Sequence, residues 1–164
     1  MIQAYVDETG TDGRSSVFLF SALICEAVLW AKFSDDWQVC LNAPPSIRYF
    51  KMDEAAGLDG EFYGFSPVER DTKVKSLCQI LASTEAVEVS CSMNMKAFDD
   101  TWGKTAHKPL SEPYFFPFHI INLIVASQVG DLGATQPFEI FFDENKIFGP
   151  RAKAWYPIVR ALHD

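Results

Sequence analysis

The sequence predicts an α/β fold, a mixed sheet with helices packed on it, and three observations carry that prediction. Apolar segments at residues 2–6 and 138–142 each run straight into a pair of acids, Asp7-Glu8 and Asp143-Glu144. Between them the apolar period switches repeatedly between the two-residue repeat of strands and the helical repeat. Helix starts and stops are written in prolines, glycines and hydroxyls at the expected offsets.

Taken in order, Ile2, Ala4 and Val6 alternate with Gln3 and Tyr5 as a half-buried strand requires. Residues 10–16 form a loop dense in glycine and hydroxyls, and residues 17–25 (VFLFSALIC) read as a strand buried on both faces, joined to the first by a hairpin. Leu29, Phe33, Trp37, Cys40 and Leu41 share one helical face. Ile47, Tyr49 and the FKM at 50–52 read as a third strand or extended edge before the acidic, Gly-rich loop 53–64. Ser66 opens a helix, because Pro67 takes the first helical position and Glu69 completes a capping box, with Val74, Leu77, Cys78 and Leu81 as its inner stripe.

Val87, Val89, Cys91 and Met93 alternate with polar residues, which predicts a strand with one wet face. Residues 98–110 carry mixed polarity and suit a loop or short helix on the surface. A mostly buried helix is expected over 113–129, ended by Gly130 and Gly133; within it His119 and Asn122 share a side, where they either line a site or form a hydrogen-bonded core pair. Strand 138–142 follows, and a last helix over 150–160 is expected to turn Ala154, Trp155, Ile158 and Leu162 inward and to kink at Pro157.

At 164 residues the chain suits one domain over 1–164, with roughly 68–70% of its extended surface buried. Hydrophobic residues reach 48% with 14 Phe, which excludes disorder. A net charge of −8 excludes a general affinity for phosphate backbones, so any nucleic-acid role must be local. Cys25, Cys40, Cys78 and Cys91 have no zinc spacing and lie in apolar stretches, as reduced core thiols do. No basic region precedes an apolar run at the N-terminus, and residues 115–129 are too short and polar to span a bilayer, so a cytoplasmic protein with no membrane partner is expected.

A crossover that lays the late strand parallel to the first would set Asp7 beside Asp143, each on the less aliphatic face of its strand. Adjacent carboxylates favour a shared divalent cation, and an all-oxygen set with no His or Cys suits Mg²⁺ or Mn²⁺. The stretch 7–13 reads equally well as a polar hairpin loop. Lys146, Arg151, Lys153 and Arg160, beside Trp155 and Tyr156, could hold a nucleic-acid backbone or form a solvated helix face over a buried ring.

The opening YVDETG, the FKM at 50–52 and the FFDEN before a final helix resemble the DUF3800 family of bacterial proteins, which are thought to have a ribonuclease-H-like fold. The resemblance implies a metal-dependent nuclease or phosphoryl-transfer enzyme in which Asp7, Glu8 and Asp143 hold the metal and act catalytically, and Lys51 orients a phosphate. Thr9 stands where that family usually has Ser. Family members usually continue to a helix with a Gln-x-x-Asp arrangement; Gln128 and Asp131 have this spacing but precede the Asp143 strand, so the chain resembles a truncated member. A non-catalytic interaction protein that keeps the fold is the alternative.

Overall fold

The computed structural model describes residues 1–10, 15–133 and 137–161. The chain folds into two compact units, one made of Met1–Cys25 with Val87–Asp164 and the other of Glu26–Ala86.

In the first unit four strands form one mixed sheet: β1 (Ile2–Thr9), β2 (Val17–Glu26), β3 (Val87–Asn94) and β4 (Glu139–Phe142), in the order β3-β2-β1-β4. β2 and β3 are antiparallel. β4 lies parallel to β1 at the edge, with Gln3 opposite Glu139, Tyr5 opposite Phe141 and Val6 opposite Phe142. The parallel pairing follows from the helical crossover that separates the two strands. Gly10, at φ +86°, closes β1, and a Cβ there would stand 2.2 Å from the Val17 carbonyl oxygen, so only glycine fits.

Ala4, Val6, Phe18, Phe20, Ala22 and Ile24 turn to one face of the sheet and form a core with Tyr114, Phe115, Phe118, Ile121, Val125 and Val129. Most of the latter belong to the helix Phe115–Asp131, and the last helix, Gly149–Ala161, adds Val159, Ala152 and Trp155. Ala154 and Ile158 are exposed instead of inward, and Leu162 lies outside the described residues. Two apolar stripes share Trp155, and the sheet selects the one through Ala152 and Val159. Asn122 is buried and its amide nitrogen donates to the Phe118 carbonyl at 2.7 Å, one turn back in its own helix. Two short helices, Met95–Asp100 and Trp102–Thr105, follow β3. In chain order these helices of the first unit are α4 (Met95–Asp100), α5 (Trp102–Thr105), α6 (Phe115–Asp131) and α7 (Gly149–Ala161), the second unit supplying α1 to α3.

The second unit contains α1 (Ala27–Asn42), α2 (Met52–Gly57) and α3 (Pro67–Ala82), whose core is Leu41, Ile47, Ala55, Phe62 and Leu77. Where an extended edge was expected at 47–52, the chain is irregular and Met52 opens α2. Polar contacts replace strand pairing there: the Arg48 backbone N–H and guanidinium both donate to the Glu61 carboxylate, and Glu54 accepts from the Glu61 N–H and the Tyr49 hydroxyl. Lys73 is buried, and its ammonium donates to the carbonyls of Cys40 and Ala43 at 2.6 Å each, satisfying the C-terminal end of α1. All four cysteines are free thiols: Cys25 is buried, Cys91 and Cys40 are half-buried against the two cores, and only Cys78 is exposed.

The Ser66 capping box is present in both directions, with the Glu69 N–H donating to Ser66 Oγ and the Ser66 N–H to Glu69 Oε2. Ser66→Ala is expected to destabilise the protein by about 1 kcal/mol in urea unfolding. A loss below about 0.3 kcal/mol, within the range of a neutral surface change, would show that the box contributes nothing. No helix among the described residues is long and apolar enough to cross a membrane.

Candidate functional site

β1 and β4 end side by side. Asp143 donates its backbone N–H to the Val6 carbonyl at 3.1 Å, which extends the register by one place and sets Asp143 opposite Asp7. Adjacent strands lie about 4.8 Å apart, so the two carboxylates occupy neighbouring positions on one face. That face is continuous along the strand pair: the Gln3 amide donates to Glu139 at 2.8 Å, and the exposed rings of Tyr5 and Phe141 stack at 4.9 Å. Each aspartate also accepts from the N–H of the glutamate after it, both at 2.8 Å, so the two acid tips share one local geometry.

Glu8 takes the other side. Alternation groups it with Ala4 and Val6, on the core face, where it is half-buried. Its Oε1 accepts from the Asn145 amide at 2.6 Å, while its Oε2 is buried with no hydrogen-bond partner. The buried Tyr114 hydroxyl is a further polar neighbour of the Glu8 carboxyl. Burial pushes the Glu8 carboxyl above the usual carboxylate range; the Asn145 amide and the Tyr114 hydroxyl oppose this, and the charges of Asp7 and Asp143 add to it. Burial, and then the Glu8 charge, likewise raises the Tyr114 phenol.

Asn145 is the joint between the two tips. Its amide nitrogen holds Glu8 on β1, and its side-chain oxygen accepts from the Ile147 and Phe148 N–H groups that lead into α7. Tyr114 supports it from below by stacking on Phe148 at 4.4 Å. Neither residue was picked out from sequence. Asn145 stands in the FFDEN motif and its short amide favours such turns, which was the available signal; Tyr114 gave none, because its burial is tertiary.

The expected trio of carboxylates is therefore divided. Asp7 and Asp143 come together, Glu8 backs them through the sheet, and among the described residues no three His, Cys, Asp or Glu side chains gather as a metal-holding group. Lys51 belongs to the second unit, where its ammonium is 4.0 Å from Glu54 and 5.6 Å from the Tyr49 ring centre. Asp143, Glu144 and Asn145 also line a cleft of about 1120 Å³ between β4 and α7.

Asp7 and Asp143 are the residues that could hold a divalent cation. Mg²⁺ commonly takes one or two carboxylates and keeps several waters, and the two aspartates supply oxygen donors of matching geometry. Compared with known proteins, the chain matches no family model, no curated protein and no solved structure.

The raised Glu8 carboxyl has a consequence for stability in metal-free buffer. The folded state holds this proton more tightly than the unfolded chain, so above the ordinary value of 4.5 stability falls as pH rises, until the folded-state carboxyl has ionised. Glu8→Gln is expected to be more stable than wild type at neutral pH and to lose that advantage below 4.5. Thermal unfolding across pH 4 to 8 checks this, and an advantage that grows on acidification would contradict it.

Proposed function

We propose that this protein is a divalent-metal-dependent enzyme that cleaves phosphodiester bonds in nucleic acid, with Asp7 and Asp143 as its metal ligands and catalytic carboxylates. The observation that carries this reading is the parallel pairing of β1 and β4, which brings two Asp-Glu tips with the same local geometry to one place. The likeness of DETG and FFDEN to the DUF3800 motifs supports it, and the mixed sheet is compatible with a ribonuclease-H-like fold.

Asp7 and Asp143 would hold Mg²⁺ or Mn²⁺ through carboxylate oxygens, with water in the remaining positions. The ion, when bound, supplies Lewis acidity toward a phosphoryl oxygen and lowers the pKa of a coordinated water. Glu8 and Asn145 keep the tips in register, since their hydrogen bond joins β1 to the turn after β4. In this reading Glu8 positions, and Lys51 takes no assigned part.

Calorimetric titration of Mn²⁺ into the wild type is expected to give a one-site heat that Asp7→Asn weakens by at least about 100-fold, more than the loss of an outer-shell partner brings. Equal heats in the two proteins would overturn the proposal.

A further inference from the structure

The cleft beside the aspartate pair has a composition of its own. One wall is the inner edge of β4, where Phe138, Ile140 and Phe142 are only partly covered by the core. The facing wall is a stripe of α7 carrying Lys153, Tyr156 and Arg160, at helical spacings of three and four. Trp155 and Val159 on the same helix turn to the core. Asp143, Glu144 and Lys146 also line it.

Three properties select an occupant. Seven residues of helix place Lys153 and Arg160 about 10 Å apart along the axis, so the cations are strung out for a chain of anions instead of gathered for one. At about 1120 Å³ the cleft is at or beyond the upper end of small-ligand pockets, which run to about 1,000 Å³. Its apolar, aromatic wall can take the faces of bases only when these are unstacked, and the exposed Tyr156 ring offers a further stacking surface. Basic groups that track a backbone, combined with rings for the bases, are the elements of single-strand recognition.

We propose that the cleft between β4 and α7 binds single-stranded polynucleotide, with backbone phosphates along Lys146, Lys153 and Arg160 and bases against the β4 wall and Tyr156. This deepens the phosphodiesterase reading by naming its substrate class. Asp143 is among the residues that line the cleft, so the cleft borders the end of β4 that carries the site. A duplex, whose bases are stacked inside, gains only the phosphate contacts.

The test is fluorescence-anisotropy binding of labelled twelve-nucleotide single strands, DNA and RNA in separate arms, and of the matching duplex, in EDTA and at several salt concentrations. Binding of at least one single strand is expected, tighter than the duplex. Lys153→Glu is expected to weaken it about tenfold and to reduce the magnitude of the salt slope by about 0.7 to 1. Tyr156→Ala is expected to cost about tenfold, with Tyr156→Phe close to wild type. Lys75→Glu, an exposed charge reversal in the second unit, serves as control and is expected to change nothing. Absence of single-strand binding, duplex binding of equal strength, or an equal effect of Lys153→Glu and Lys75→Glu would overturn the cleft. Because EDTA removes the metal, failure is separable: binding without Mn²⁺-dependent cleavage keeps the cleft and removes the nuclease, while cleavage unaffected by Lys153→Glu keeps the nuclease and removes the cleft.

Discussion

Asp143→Asn is expected to abolish Mn²⁺-dependent cleavage of oligonucleotides, with at least about a 100-fold loss, while leaving the fold intact. The variant retains a side-chain oxygen that can accept from the Glu144 N–H, so the turn after β4 keeps its geometry and only the charge is removed. Like charges facing each other across adjacent strands are destabilising, so in EDTA the variant should be at least as stable as wild type. Adding Mn²⁺ should reverse that order. A ligand that binds only the folded state adds about 2.7 kcal/mol at a concentration 100 times its Kd, a gain open to the wild type and denied to the variant. Melting curves in EDTA and in Mn²⁺ therefore test the site without knowledge of its substrate. Equal metal-induced shifts in both proteins, or cleavage that survives the substitution, would count decisively against the aspartate pair.

Phe20→Ala should produce the largest loss of stability among single core truncations, about 3–5 kcal/mol. Phe20 is completely buried on β2 and meets Phe18 at 5.3 Å, Tyr114 at 5.1 Å and Phe142 at 6.5 Å in edge-on contacts. Each such aromatic pair adds roughly 0.5–1.5 kcal/mol beyond burial. The cavity would also loosen two residues close to the site, because Tyr114 stacks beneath the Asn145 turn and Phe142 immediately precedes Asp143. Urea unfolding should show a lower midpoint with an unchanged slope. A loss under about 1.5 kcal/mol, the range of an isosteric swap, would mean that the ring is not the keystone described.

What could be read from sequence was whatever local chemistry determines. The Ser66 box needs only four residues, and it formed as expected. The alternation in β1 and the helical crossover sufficed to set Asp7 beside Asp143. The same alternation placed Glu8 with Ala4 and Val6, away from the aspartates, so its separate face was legible but outweighed by the family likeness. Segment 47–52 was not legible, because β-branched and aromatic residues suggest a strand while its structure rests on Glu61, thirteen residues beyond Arg48. Lys73 is a similar case: nothing nearby announces that a lysine will be buried, since its acceptors are carbonyls thirty or more residues earlier. On α7 two apolar stripes were available, and tertiary packing chose between them.

The pairing of β1 with β4 joins positions 136 residues apart. Closing so large a loop is slow and must wait until β4 has been made. A ribosome-bound intermediate that has emerged only through α6 has the first aspartate but not its counterpart, so the proposed metal site would assemble only once β4 has joined β1, and metal capture would report that the sheet has closed.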